Sequence, residues 1–450
     1  MRNIVPDLII CLIILITFVL AHIISYVIYE SIKNDTASDE NFSRLLAKQK
    51  GDFAFVIRLL VNCLGYACIF APLLLIYKYT KKIKFVERGD SSIICNIVKI
   101  CYVGEKKEKS QTKEAPSTIK QECLTFFFCF CGLMVSFLSW GVLQEKIMTV
   151  EYIGLDGKTK SHFTDSQFLV FVNRTLAFIV SSIYLIFKRY SLHPAPLFKF
   201  SYASFSNIMS AWCQYEALKF VNFPTQVLVK SAKVIPVMLM GKIISRTKYE
   251  YHEYLTAVMI SIGMVLFLTG SQDESKHSPT TTLTGLFLLT LYLVFDSFTA
   301  NWQNHISKCY SMSSIQLMCG VNLFSVLFTS TSLLLQGGFI ASVSFSMDHP
   351  KFIIDCIVLS LCAATGQLFI YYTLLKFGPI VFTIIMSLRQ AVAILLSCII
   401  YKHKIEAFGI FGIFVVFLAI SIRFYGSHRL RQIRQKNETI KNTYKPRIEV

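Results

Sequence analysis

The sequence predicts an all-α polytopic membrane protein, and three observations predict it. The chain is too apolar to hide its hydrophobic residues in one water-soluble core. The apolar residues come in runs near 20 residues, enough for a helix to cross a bilayer. A short residue pattern also recurs in two places an odd number of such runs apart.

Of 450 residues, 54% are hydrophobic and 16% charged, against about 25% charged in soluble domains. Phe alone occurs 38 times. The formal charge of +18 does not imply nucleic acid, because the basic residues gather in loops and tails between apolar runs. Most of the 14 cysteines lie inside apolar runs, as Cys63, Cys68, Cys129, Cys131, Cys213, Cys319, Cys356, Cys362 and Cys398 do. They form no CxxC pair, and they read as small apolar packing residues. No metal site is expected.

Twelve spans follow. The first two, Val5–Tyr29 and Phe53–Tyr79, precede the rest, and the first reads as an anchor, its apolar stretch being too long for a signal peptide. The other ten are Cys123–Leu143, Ser166–Phe187, Phe200–Lys219, Thr225–Ile244, Tyr251–Thr269, Leu283–Trp302, Ser314–Gln336, Phe352–Leu375, Ile380–Tyr401 and Ala407–Tyr425. The expected organisation is two extra spans with their loop (1–80), a basic linker (81–121), two five-helix halves (122–270 and 271–426) and a basic tail (427–450).

Charge predicts orientation. The linker carries Lys106, Lys107 and Lys109, and the tail Arg429, Arg431, Arg434 and Lys436. Ten spans separate them, so both fall on one side. The positive-inside rule makes that side cytosolic, with both chain ends. Lys402 and Lys404 are exceptions. The first loop on the opposite side holds the glycosylation sequons at Asn34 and Asn41.

The repeated pattern reads Ser231-Ala232-Lys233 with Lys248 and Glu250, then Ser387-Leu388-Arg389 with Lys404 and Glu406. The offset is 156 residues throughout. Five spans is an odd number, so the second copy inserts upside down. Such inverted repeats move around a site near mid-depth.

Charge within a span costs roughly 2.5–3.5 kcal/mol on insertion scales, so it usually faces a cavity or a partner. Gln226, Lys230 and Lys233 share one face of a continuous helix. Arg389 sits beside Gln390, and Arg174 lies mid-span. One reading is a cationic cavity for a phosphorylated ligand, its cations without fixed partners. The other is internal pairing with Asp296 or Glu216, which cannot satisfy four basic residues. Asp296, Thr299 and Gln303 form one stripe, with Ser297 and Asn301 on the next. They suit a wall that reads base or ribose, with Trp302 or Tyr292 for stacking, or else ordinary interhelical hydrogen bonds. Gln214, Tyr215, Gln367 and Tyr371 admit the same two readings.

Enzymatic signatures are missing. Gly157-Lys158-Thr159 lacks the glycine that a phosphate loop needs five residues earlier, where Tyr152 stands. No HExxH, GxSxG or carboxylate pair appears, so no catalytic residue and no cofactor is expected.

Several stretches resemble the nucleotide-sugar transporter family. They are Phe163 to Val170, Trp212 to Phe220, Phe223 to Leu228, Lys233 to Lys242, Phe295 to Gln303, Gly366 to Ile370, Phe382 to Met386 and Leu388 to Ala391. The resemblance spans about Cys123 to Tyr425 and is strongest to the branch that carries 3′-phosphoadenosine 5′-phosphosulfate (PAPS). It implies the drug/metabolite-transporter fold, ten core helices in two inverted halves. It also implies import of PAPS into the Golgi lumen by antiport, in exchange for a nucleoside phosphate. A ligand-contacting lysine is implied near Lys230 or Lys233, without a choice between them. The expected partners are thus PAPS, a nucleoside phosphate, membrane lipid and a second copy of the chain. A nucleotide sugar as cargo, or a membrane-embedded transferase, are the competing expectations.

Overall fold

A computed structural model describes residues 5–36, 54–83, 93–103, 119–149, 151–155, 160–163, 165–188, 195–217, 220–221, 226, 229–230, 232–270, 283–335, 338–401 and most of 408–429. The predicted spans return as helices, with some ends moved. They are α1 (Val5–Thr36), α2 (Ala54–Ile83), α3 (Ile93–Tyr102), α4 (Ile119–Thr149), α5 (Ser166–Phe187), α6 (Phe198–Ala217), α7 (Val234–Ser245), α8 (Tyr251–Gly270), α9 (Leu283–Tyr310), α10 (Ser314–Leu335), α11 (Gly338–Asp348) and α12 (Pro350–Tyr401). A further apolar helix covers Phe408–Arg423. Among the described residues, six helices are long and apolar enough to cross a membrane by length and composition. The exposed residues of these helices are largely Leu, Ile, Val and Phe, the surface a lipid-facing helix presents.

The structure adds detail to the expectation in four places. Beside its helices the chain has one short antiparallel hairpin, Glu151–Ile153 with Lys160–His162. The basic linker contains α3, and the stretch after Leu335 contains α11. Helix α9 runs on to Tyr310 rather than ending at Trp302. The fourth core span is not one continuous helix. Gln226, Val229 and Lys230 are helical, Ala232 and Lys233 form a turn, and α7 starts at Val234. Pro236 supplies the cause. In an unbroken helix its ring would collide with the Ala232 carbonyl. That carbonyl instead accepts from Ile235 N at 3.4 Å, and Lys233 N donates to Lys230 O at 3.3 Å, the tighter i→i+3 pattern.

A second break lies inside α12. Gly378 adopts φ 81° and ψ 173°, a conformation almost confined to glycine, and Pro379 follows it. The spans Phe352–Leu375 and Ile380–Tyr401 therefore stay distinct.

The chain divides into two compact units. One comprises 1–111, 131–209 and 302–376, the other 112–130, 210–301 and 377–450. Helices α4, α6, α9 and α12 each contribute to both.

In the first unit, the hairpin, α5, α11 and the start of α12 enclose an aromatic cluster of Tyr152, Phe163, Phe168 and Phe352. Phe163 and Phe352 lie 4.5 Å apart, in the range aromatic pairs prefer. Asp165 caps α5 by accepting from Gln167 N and Phe168 N, and its other oxygen accepts from Ser342 Oγ at 2.8 Å. Asp355 accepts from Lys146 Nζ at 2.9 Å and Tyr152 Oη at 3.0 Å. Burial and that carboxylate push the Tyr152 phenol well above its ordinary pKa, so it stays a donor.

In the second unit, α7, α8, the last part of α12 and the final helix bury Val237, Ile260, Phe267, Ile384 and Val416. A Cβ on Gly412 would lie 2.5 Å from Gly263 O. Small residues at this crossing let the two backbones touch.

Candidate functional site

Most of the predicted site residues that are described fall into two polar clusters, one in each unit.

The second unit holds the cations. Lys230 precedes the break and Lys233 sits in its turn, so Pro236 sets where both ammonium groups go. Lys233 forms a direct ion pair with Asp296 of α9, the two side chains being 11% and 27% exposed. This corrects the expectation of cations without fixed partners: an isolated buried ammonium is costly, and Asp296 offsets that cost. Lys230 lies over the Tyr292 ring at 5.9 Å, within cation–π range. Arg389 of α12 lies close enough for its charge to act on both lysines. The groups acting on Lys230 are thus Lys233, Arg389 and the single carboxylate of Asp296. Three basic residues, Lys230, Lys233 and Arg389, thus act on one another beside the carboxylate of Asp296.

Neighbouring polar residues hold this frame. Gln226 Nε2 donates to Gln214 O at 2.7 Å, tying the broken segment to α6. Asn301 Nδ2 donates to Val237 O and Ser297 O, each at 2.9 Å. The amide hydrogens of Asn301 thus join α9 to α7, as its interhelical reading expects. Gly241 allows the close approach, since a Cβ there would meet Asn301 Oδ1 at 2.8 Å. The side chains of Tyr215 and Gln390 lie outside the described residues.

The first unit holds a second cluster. Arg174 Nη1 donates to Asn322 Oδ1 at 3.5 Å, a long contact, and Asn322 Nδ2 donates to Gln367 Oε1 at 2.7 Å. Tyr371 is buried within electrostatic reach of Arg174. Ser360 Oγ donates to Asn173 Oδ1 at 2.7 Å beside it. Three predicted residues, Arg174, Gln367 and Tyr371, thus come together around Asn322, which the sequence reading missed. Its position among apolar neighbours in α10 was the available signal. Gln303 is buried in α9. Asn34 lies in the last turn of α1, and Asn41 lies outside the described residues. Among the described residues, no group of three or more His, Cys, Asp or Glu could hold a metal.

Comparison with known proteins places the chain. The profile of the UAA transporter family matches residues 125–427. The chain is 53% identical to the adenosine 3'-phospho 5'-phosphosulfate transporter 1 of Drosophila melanogaster, over 97% of both chains. It is 48% identical to the Homo sapiens protein of that name, over 84% of this chain and 89% of that one. It is also 36% identical to the UDP-galactose/UDP-glucose transporter 5 of Arabidopsis thaliana, over 70% of this chain and 88% of that one. With a profile match across the core helices and relatives this similar along nearly the whole chain, the protein belongs to the UAA transporter family.

Proposed function

We propose that this protein is an antiporter that brings PAPS from the cytosol into the Golgi lumen, where it serves sulfation, by alternating access. A member of a transporter family with transporter relatives is a carrier, not an enzyme, which sets aside the transferase reading. The observation that carries the proposal is the cluster of three basic residues, Lys230, Lys233 and Arg389, that act on one another beside Asp296. PAPS brings a 3′-phosphate of about −1.5 to −2 charge and a phosphosulfate besides. Arg389 can grip phosphate or sulfate through two parallel hydrogen bonds, while each lysine acts as a point charge. The names of the Drosophila and human relatives support the same cargo.

In this reading the ten core helices form two inverted five-helix halves, 122–270 and 271–426. Further proposed substrate-contacting residues are Gln226, Gln214, Tyr215, Asn301 and Gln390 in the second unit and, separately, Arg174, Gln303, Gln367 and Tyr371 in the first. A nucleoside phosphate left by sulfate transfer is the natural counter-substrate, since it keeps the phosphates that the cations bind. Both chain ends and the Lys-rich linker face the cytosol.

The test is PAPS uptake into proteoliposomes. Arg389→Ala should lower uptake by about 10-fold to 100-fold, the worth of one or two charge-assisted hydrogen bonds, without preventing membrane insertion. Wild-type uptake by that variant would overturn the assignment. The similarity to a UDP-sugar transporter supports a second reading, a nucleotide sugar as cargo. Excess UDP-, GDP- and CMP-sugars should leave uptake of labelled PAPS unchanged; strong competition by one of them would favour that reading.

A further inference from the structure

Helix α3 is only ten residues long, too short to cross a bilayer. One of its faces packs inward. Cys95 and Val98 are buried with Ile10 of α1 and Ile76 of α2, and Ile94 and Tyr102 pack beside them. Tyr102 Oη donates to Leu73 O at 2.7 Å. Leu73 lies ten residues before the end of α2, a depth of about 15 Å at 1.5 Å per residue. At the other side, Leu197 N donates to Ile100 O at 3.4 Å, and the Tyr102 ring lies 5.7 Å from that of Phe198, at the start of α6. Helix α3 is thus pinned beside the start of α1, the end of α2 and the start of α6, three helix ends that belong to one side of this unit.

Among the described residues, its other face has no such cover. Ile97 is 53% exposed and Ile100 48% exposed, and Val103 follows them. Three and six positions apart, they form one apolar stripe on the outside of the helix. Lys99 is exposed beside the stripe, and Lys78, Lys81 and Lys82 are exposed on the last turns of α2. The nearby described carboxylate is Asp7, in the first turn of α1. Tyr77 carries Lys81 over its ring at 5.9 Å and stacks on Phe198, so aromatic rings and lysines occupy the same level. The sequence adds Lys84 and Arg88 with Glu87 and Asp90 before α3, and Lys106, Lys107 and Lys109 with Glu105 and Glu108 after it.

An apolar stripe bordered by lysines, at the end of a long apolar helix, has the chemistry of a segment lying in the plane of a bilayer surface. We propose that α3 is an interfacial helix that seats Ile97, Ile100 and Val103 in the leaflet and binds anionic phospholipid headgroups through Lys81, Lys82 and Lys99. The occupant is lipid, because the outward stripe is flanked by positive charge and continues from a helix of membrane-spanning character.

Hydrogen exchange of residues 93–103, measured on the full chain in nanodiscs, tests this. Exchange should slow about fivefold or more when phosphatidylserine is added to a phosphatidylcholine bilayer, the effect expected of one basic residue near an anionic surface. Lys81→Glu/Lys82→Glu/Lys99→Glu should abolish that response while exchange in α5 stays as in the wild type. Ile97→Ser/Ile100→Ser should raise exchange of the segment in both lipids. Equal protection in the two bilayers would overturn the proposal, as would an undiminished response in the charge variant. Protection by soluble inositol hexakisphosphate in the neutral bilayer would overturn it too, since the ligand would then be free phosphate. Uptake of PAPS is read in parallel, so that a failure here is distinguishable from a failure of the carrier reading.

Discussion

Lys233 illustrates how one residue serves both the resting protein and its cargo. Its ammonium is paired with Asp296, and a phosphorylated ligand would have to compete with that carboxylate. Asp296→Asn removes the competitor while keeping nearly the same shape. It should lower the KM for PAPS several-fold, since tenfold corresponds to about 1.4 kcal/mol, and it should also lower the thermal unfolding midpoint, since a buried lysine loses its partner. Uptake kinetics and unfolding of the detergent-solubilised protein check both. A raised KM would mean that Asp296 helps to hold the ligand. Asn322 teaches a different lesson at this scale. A single amide links Arg174 to Gln367, and it does so because it can donate and accept at once.

At the scale of the element, the two breaks matter most. Pro236 keeps the helix that includes Lys230 from running unbroken into α7, which sets the positions of Lys230 and Lys233. Pro236→Ala restores an N–H and removes the ring, so the helix should extend backward and turn those lysines away. Uptake should fall at least tenfold while the unfolding midpoint stays level or rises; a fall in both would point to lost packing instead. At Gly378, an added Cβ would meet nothing within 4 Å, yet φ is 81°. Gly378→Ala therefore isolates the backbone cost, of order 1–3 kcal/mol. A lower unfolding midpoint together with slower exchange of PAPS is the expected result.

For the whole molecule, the proposed orientation rests on charge asymmetry. The Lys-rich linker and the basic tail place both chain ends on the cytosolic side in the proposed topology. The loop after α1 then faces the lumen with Asn41. Asn41→Gln should remove a glycosidase-sensitive shift in gel mobility from the protein expressed in animal cells, and a variant with the linker lysines replaced by glutamate should lose it as well. A shift that survives Asn41→Gln places the glycan elsewhere, with Asn34 next to be tested. The two compact units each combine segments from before and after residue 270, so neither half of the sequence makes a unit alone.

The sequence by itself determined that the chain is a membrane protein and where most helices lie, because apolar run length against bilayer thickness is a local property. Ser166–Phe187 was legible to the residue, since Asp165 caps it within the motif. It also marked Lys233 and Arg389, because charge in an apolar run stands out in one dimension. Only the tertiary structure decided which partners those charges have. The pairing of Lys233 with Asp296, and the meeting of Arg174 with Asn322 and Gln367, join residues 63, 148 and 193 positions apart. Such contacts depend on how helices pack, and helix packing inside a membrane is set by side-chain fit rather than by hydrophobicity, which leaves no periodic trace in the chain.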